Sequence, residues 1–272
     1  MDLSALYFTK CPKCQKLSLS TVSPSDLSNR EEQQILEDIR LSMQNENIFI
    51  ADGHHRYEVA CTYRDQMRRR SLNLTGQESF NYIMAYFSNA DSRGLTIFPI
   101  HRLIRLDSQF DLSYFLHALT DYFDIEEVKD RTRFFFLMEK GGLTEHVLGM
   151  YRDKRYWLLR LKNIKILDTE MQDKPREYRS LDVSILNHIV LKKLLKCDLE
   201  DKDTIIFNND AEELIRQVDS EAQKTAFFLN PVKIEQIIAV ALNGNKMPAK
   251  STYFYPKVIS GLVINKFKES KD

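Results

Sequence analysis

The chain has 272 residues, of which 43% are hydrophobic and 29% charged, the composition of a soluble globular protein with one large or two smaller domains. Its 39 basic and 39 acidic residues cancel, so bulk electrostatics do not favour nucleic acid or a membrane surface as a partner. No apolar run has the length of a membrane span, and the first ten residues lack a signal-peptide core. We therefore expect a cytoplasmic protein, and its oligomeric state is left open.

Residues 1–30 are rich in serine, lysine and proline, and we expect them to form an irregular N-terminal segment. Within this segment, Cys11 and Cys14 have the spacing of half a zinc site or of a redox pair. No second pair of ligands follows at a suitable spacing, so we assign no metal to these cysteines.

The rest of the chain shows helical and strand patterns in a non-alternating order, which predicts an α+β fold with a mixed sheet. Pro99 marks an edge, a bulge or a bend in a strand, and Pro231 is expected at the first position of a helix. Helices are predicted at residues 30–43, 55–70, 111–122, 180–195, 211–218 and 231–242. Strands are predicted at residues 48–51, 81–89, 95–104, 123–128, 147–151, 156–161, 205–207 and 226–229.

The most informative stretch is residues 48–60, which read I-F-I-A-D-G-H-H-R-Y-E-V-A. An apolar run ends in Asp52-Gly53, a strong turn signal, and helical periodicity follows. A helix N-terminus offers backbone N–H groups and the positive end of the helix dipole, both of which suit a phosphate. Gly53 allows close approach of the backbone, and Arg56 can hold oxygens in a bidentate fork. The order strand, turn, helix therefore predicts an anion-binding turn.

A purely structural interpretation of the same turn is also available. Asp52 would then be the N-cap of the helix, the two histidines would be solvated, and Arg56 would form a surface ion pair. We favour the functional interpretation, because five consecutive residues are polar or glycine directly after an apolar run.

Two further segments carry candidate ligands. His101 and Arg102 lie at the end of a predicted strand and are equally consistent with an anion site or with a structural role. The segment M-P-A-K-S-T-Y-F-Y-P-K at residues 247–257 predicts a rigid polar loop whose lysines and hydroxyls suit phosphate or carboxylate. Its candidate residues are Lys250, Ser251 and Lys257.

The chain resembles the family called domain of unknown function 1015. The resemblance rests on I-A-D-G-H-H-R-Y-E-V-A (50–60), N-Y-I-M-A-Y-F-S-N with G-L-T-I-F-P-I-H-R-L (81–103), L-D-V-S-I-L (181–186), and F-L-N-P with M-P-A-K-S-T-Y-F-Y-P-K-V-I-S-G-L (228–262). The family's D-G-H-H-R turn is similar to the nucleotide-binding turn of the ParB and sulfiredoxin superfamily, which includes kinases that phosphorylate free serine.

This resemblance implies a role for each residue of the turn. Asp52 would be the acidic residue, and Gly53, His54, His55 and Arg56 would hold the phosphates of ADP or ATP. From the chemistry of phosphoryl transfer we expect Asp52 to orient or deprotonate the hydroxyl or to bind Mg²⁺, and we count His55 with Asp52 as a candidate catalytic residue. The other candidate ligands, without a counterpart in those kinases, are His101, Arg102, Lys250, Ser251 and Lys257. The implied organisation is an irregular segment at 1–30, a partial ParB/sulfiredoxin-like nucleotide-binding region at 31–110 and a C-terminal α+β region at 111–272.

Family members usually carry a long region ahead of the turn, whereas only 51 residues precede Asp52 here. We therefore expect an N-terminally truncated member. Three hypotheses follow: a phosphotransferase on a small hydroxyl substrate, with free serine as the first guess; a ParB-like nucleotide sensor that transfers no phosphate to a metabolite; or an inactive, truncated scaffold.

Overall fold

The structure is a computed structural model that describes residues 30–71, 73–76, 78–90, 95–201 and 203–257. The chain divides into two compact units. The first unit comprises Met1–Leu95 together with Pro256–Asp272, and the second comprises Thr96–Tyr255. Cys11 and Cys14 lie outside the described residues.

The first unit contains the two helices that the sequence predicts. Helix α1 spans Arg30–Met43 and helix α2 spans His54–Arg70, followed by a short 3₁₀ turn at Ser79–Asn81. Arg68, in the last turn of α2, donates through its guanidinium to Asn81 Oδ1 at 2.6 and 3.0 Å. This contact ties the loop after α2 back to the helix.

The strands predicted at residues 48–51 and 81–89 are wrong. Residues 46–51 are irregular, and residues 82–90 are irregular apart from an isolated bridge at Phe87. A strand needs a neighbouring strand for its backbone hydrogen bonds, and among the described residues neither run belongs to a sheet. The apolar residues of the second run, Ile83, Met84 and Tyr86, are exposed.

The second unit is built on a six-stranded sheet, and all of its strand pairs are antiparallel. The predicted mixed sheet is therefore wrong for the described strands, because each hydrogen-bonded neighbour runs in the opposite direction. The strand order is β3-β5-β4-β7-β2-β6, and β1 and β8 form a separate antiparallel pair. The strands are β1 Thr96–Phe98, β2 His101–Arg105, β3 Phe123–Val128, β4 Val147–Arg152, β5 Arg155–Leu161, β6 Ile205–Asn208, β7 Lys224–Phe228 and β8 Tyr253–Tyr255.

Helices cover both faces of this sheet. One face packs against α4 and α8, and its core includes Phe134 and Phe228. The other face packs against α3, α7 and α9, and its core includes Phe115, Trp157 and Phe227. The helices are α3 Leu112–Leu119, α4 Arg131–Gly141, α5 Ile166–Glu170, α6 Arg176–Arg179, α7 Asp182–Ile185, which continues as a π-helix over Leu186–Leu194, α8 Ala211–Ser220 and α9 Ile234–Leu242.

Two local predictions are confirmed by the backbone. The strands predicted at residues 147–151 and 156–161 are present as β4 and β5 and form a hairpin, whose turn residues Asp153 and Lys154 have positive φ angles of 49° and 58°. Such angles fit the right-handed twist of a two-residue hairpin. Pro99 separates β1 from β2, so the chain leaves one sheet and enters the other at this residue.

Two helices differ from the sequence expectation. Helix α4 was not predicted, although Asp130 caps it and the buried Phe134 and Met138 lie four residues apart. Helix α9 begins at Ile234, with Lys233 as its N-cap, and Pro231 is therefore not its first residue. The amide of Asn230 donates instead to Met138 O at 3.0 Å, which holds this segment against the end of α4.

The predicted boundaries at residues 30 and 110 remain predictions. The structure groups β2 with the second unit, because this strand pairs on one side with β6 and on the other with β7. Among the described residues, no helix has the length and apolar character needed to cross a membrane.

Candidate functional site at the start of helix α2

Helix α2 begins at a glycine without any side-chain cap. Gly53 is the N-cap residue, and its backbone is left-handed, with φ 80° and ψ 24°, a conformation that glycine adopts at little cost. The first helical hydrogen bond runs from Tyr57 N–H to Gly53 O at 3.0 Å. The first turn holds no acidic residue and instead carries His54, His55 and Arg56. The predicted start of this helix is therefore confirmed.

Asp52 precedes the helix and both of its carboxylate oxygens are engaged. Oδ1 accepts from Gly53 N–H at 2.8 Å, and Oδ2 accepts from Lys257 Nζ at 3.0 Å. Asp52 is therefore not the N-cap of α2, and this part of the structural interpretation is wrong. Partial burial raises the pKa of Asp52, but the hydrogen bonds from Lys257 and Gly53 and the charges of Lys257 and Arg56 outweigh it, and the net effect lowers the pKa.

Arg56 folds back over the glycine. A methyl group placed on Gly53 would lie 3.1 Å from Arg56 Nη2 and 3.3 Å from its Nε. A side chain here would move the exposed guanidinium by only a few tenths of an ångström, so it is the left-handed backbone that favours glycine. The side chain of His55 is fully exposed, with Nδ1 3.7 Å from Glu58 Oε2.

Lys257, which belongs to the first unit, contacts the turn directly through its ammonium, which donates to Asp52 Oδ2 at 3.0 Å. Sequence reasoning proposed Lys257 as a phosphate ligand and did not anticipate this ion pair. The two residues are 205 positions apart, and no local pattern signals such a contact.

Lys250 and Ser251 lie in the second unit and make local contacts there. The hydroxyl of Ser251 is buried and donates to Pro248 O. The carbonyl of Lys250, a residue with φ 55°, accepts from Arg102 Nη2 at 2.9 Å. Their roles as ligands remain predictions from the sequence.

His101 is buried at the start of β2 in the second unit. Its Nδ1 accepts from Leu229 N–H at 3.2 Å, and its ring packs edge-on against Phe228, with the centroids 5.2 Å apart. Burial, assisted by the charge of Arg102, lowers the pKa of His101 to about 4, so the ring is neutral at physiological pH.

Arg102 is fully buried beside it. Its guanidinium donates to Ile100 O and Lys250 O and lies 5.3 Å from the centre of the Phe207 ring. Burial lowers the pKa of Arg102 to about 9, which still leaves it charged at neutral pH. Both residues thus hold backbone segments together, and their roles as phosphate ligands remain predictions.

The residues of the turn fit a phosphate group better than a metal ion held by the protein. A phosphate needs close backbone approach and a guanidinium, which Gly53 and Arg56 supply. Within the described ranges, no group of three or more His, Cys, Asp or Glu side chains is placed to hold a metal ion. Asp52, the proposed contact for Mg²⁺, already has an ammonium on one oxygen. Mg²⁺ is usually held by one or two carboxylates together with the phosphates of a nucleotide, so the role of Asp52 as a contact for Mg²⁺ remains a prediction.

The chain matches the family described as Protein of unknown function (DUF1015) over residues 27–184. This match covers more than half of the 272 residues, and the chain belongs to that family. No curated protein matches the chain.

Several solved structures resemble this chain at low similarity. A free serine kinase in complex with AMP has a TM-score of 0.39 and 12% identity over 84% of this chain and 80% of its own. A conserved hypothetical protein from Pyrococcus furiosus has a TM-score of 0.39 and 10% identity over 84% of each chain. A mutant free serine kinase in complex with ADP has a TM-score of 0.38 and 12% identity over 84% of this chain and 81% of its own.

Proposed function

We propose that the turn at residues 52–56 binds the phosphate groups of an adenine nucleotide. The single observation that carries this proposal is the start of α2, where a left-handed glycine, no side-chain cap and an adjacent guanidinium occur together. The positive end of the helix dipole and Arg56 act in the same direction, since both attract an anion. The first turn of α2 carries no acidic residue, so no carboxylate of that turn competes with a phosphate for the helix N-terminus.

We further propose that the chain transfers a phosphoryl group to a small hydroxyl substrate in the cytoplasm, with free serine as the first candidate. The resemblance of the D-G-H-H-R turn to that of kinases for free serine supports this choice of acceptor. The nucleotide, ADP or ATP, supplies the phosphoryl group, and Mg²⁺ would enter with its phosphates. Arg56 and the N-terminus of α2 would hold the phosphates in position.

Asp52 is the candidate that orients the hydroxyl or accepts its proton. In the present arrangement Lys257 occupies one carboxylate oxygen and Gly53 N–H the other, so a hydroxyl would have to share or replace one of these contacts. The exposed imidazole of His55 is the second proton acceptor in the turn.

The same contacts favour a second candidate function, a nucleotide-binding module that transfers no phosphate to a metabolite. A carboxylate with a lowered pKa is a weaker proton acceptor, and Asp52 has such a pKa. In this function Asp52 and Lys257 would shape the turn, and Arg56 would still bind phosphate.

Calorimetric titration with ADP and ATP plus magnesium, together with an assay of phosphate transfer to free serine and other small alcohols, tests both functions. We expect Arg56→Ala to weaken nucleotide binding by roughly 1.5–3 kcal/mol, because it removes a charge-assisted, bidentate contact. Asp52→Asn keeps the shape of the side chain, so folding is retained while phosphate transfer falls steeply. Arg40→Ala, which removes another exposed guanidinium from the first unit, is the matched control and leaves binding unchanged.

The outcomes separate the candidates. Nucleotide binding with transfer that depends on Asp52 supports the kinase, whereas binding without transfer to any acceptor supports the sensor. If the wild-type protein gives no heat with either nucleotide, both functions are wrong. An inactive scaffold would then be the better account.

A further inference from the structure

Asp52 presents an electrostatic problem for a phosphate site, because a carboxylate beside an anion repels it. Proteins that bind nucleotides commonly solve this with a divalent cation placed between the carboxylate and the phosphates. Here a different cation is already in contact with the carboxylate, the ammonium of Lys257, 3.0 Å from Asp52 Oδ2.

We propose that Lys257 is a built-in cation that takes the place of a divalent ion at Asp52, so that phosphate binding at this turn does not require a metal. This inference rests on the proposed function, since it concerns how the same turn binds phosphate. The ligand class is a phosphate ester or a nucleoside diphosphate that is free of magnesium.

The charges of the turn support this role. Asp52 contributes one negative charge, and Lys257 and Arg56 contribute one positive charge each, so these three side chains sum to a single positive charge. Without Lys257 the sum falls to zero, and the carboxylate faces the phosphate site unneutralised. Near a protein surface, a unit charge a few ångströms from a charged ligand changes the affinity for that ligand on the order of tenfold.

The geometry at Asp52 also disfavours a metal ion at this position. Magnesium requires near-octahedral coordination with oxygen atoms at about 2.0–2.1 Å. Asp52 Oδ1 accepts from Gly53 N–H and Oδ2 from Lys257, so a metal ion at the carboxylate would lie close to an ammonium of the same charge sign. An ammonium is a compact point charge on a flexible stem, which lets it neutralise Asp52 without a fixed coordination shell.

The test is titration calorimetry with ADP, first in EDTA and then with excess magnesium, on wild type, Lys257→Met and Lys257→Arg. We expect wild type to bind ADP in EDTA with an affinity within about threefold of its affinity in magnesium. Lys257→Met should lose about tenfold or more in EDTA, since the neutralising charge is gone, and magnesium should recover part of this loss. Lys257→Arg keeps the charge and should remain close to wild type in EDTA.

Lys174→Met is the matched control, because Lys174 forms an equally exposed ion pair with Asp173 at 2.8 Å. It should bind ADP as wild type does under both conditions. A thermal melt of each variant checks that it is folded, and loss of an exposed pair should change stability by less than about 1 kcal/mol.

Two results would overturn the inference while leaving the proposed function intact. One is wild type that binds ADP only when magnesium is present. The other is Lys257→Met that is folded and binds ADP in EDTA as tightly as wild type. If wild type binds no ADP under either condition, the proposed nucleotide site itself is wrong, and the inference fails with it.

Discussion

The dipeptide His-Arg occurs twice in this chain, and the two units use it in opposite ways. At residues 55–56 it lies in the first turn of an uncapped helix, where the imidazole is fully exposed and the guanidinium folds over Gly53. At residues 101–102 it opens a central strand, where the imidazole is 5% exposed and the guanidinium is completely buried. The same residue types are therefore exposed at the start of a helix in one unit and buried within the sheet of the other.

Helix starts show the same contrast. In the second unit, α3, α4 and α8 each begin after an aspartate whose carboxylate accepts from backbone N–H groups of the first turn. Helix α2 of the first unit has a glycine at this position, and the carboxylate next to it is paired with Lys257 instead. A glycine N-cap costs only a few tenths of a kcal/mol relative to aspartate, so α2 begins without a capping carboxylate at little loss of stability.

If the two His-Arg pairs differ in this way, substitution of the buried Arg102 should cause the largest loss of stability. Arg102→Ala leaves two carbonyl acceptors without donors and a large cavity beside Phe207, and we expect a loss of about 3–5 kcal/mol in the free energy of unfolding. Arg102→Met fills most of that volume and should cost less. Urea denaturation of these variants and of Arg56→Ala tests the comparison.

For Arg56→Ala we expect a change within about 0.5 kcal/mol, because its side chain is exposed. Equal losses for Arg56→Ala and Arg102→Ala would contradict the division of roles between the two His-Arg pairs.

His101 should make the stability of the protein depend on pH. Its pKa falls from 6.5 to about 4 in the folded state because of burial, so the unfolded chain binds the proton more tightly. The contribution of the neutral ring to the free energy of unfolding is therefore fully present above about pH 6.5. It is lost as the pH falls towards 4, by on the order of 3 kcal/mol in total.

Urea denaturation at a series of pH values measures this effect, and His101→Gln provides the reference because it lacks the titrating group. The difference in unfolding free energy between the two proteins should shrink or reverse as the pH is lowered from 6.5 to 4. A difference that is constant over this range would show that His101 is not buried as a neutral ring.

The sequence predicts those parts of the molecule whose determinants are local. The start of α2 and the β4–β5 hairpin follow from helical periodicity and from a short polar turn between alternating runs. The run at 81–89 has the composition of a strand but no strand partner among the described residues, and composition alone cannot supply one. Pairing is decided by distant segments of the chain.

The residues of the candidate site also differ in whether a local sequence pattern identifies them. Gly53 and Arg56 are recognisable from five consecutive residues, whereas the contact between Asp52 and Lys257 joins positions 205 residues apart. The burial of His101 and Arg102 likewise depends on β6 and β7, which flank them in the sheet. No pattern within residues 95–104 distinguishes a buried His-Arg pair from an exposed one.

The smallest expected change in unfolding free energy comes from a comparison of two aspartates near helix starts. Asp111 accepts from Ser113 N–H at 2.8 Å and from Tyr114 N–H at 3.1 Å, and Asp111→Ala should cost about 1 kcal/mol of unfolding free energy. Asp52 caps no helix and its ion pair with Lys257 is exposed, so Asp52→Ala should cost less than about 0.5 kcal/mol. Urea denaturation at neutral pH measures both. A cost for Asp52→Ala as large as that for Asp111→Ala would mean that Asp52 stabilises the fold as a capping aspartate does, which would favour a structural role for this residue.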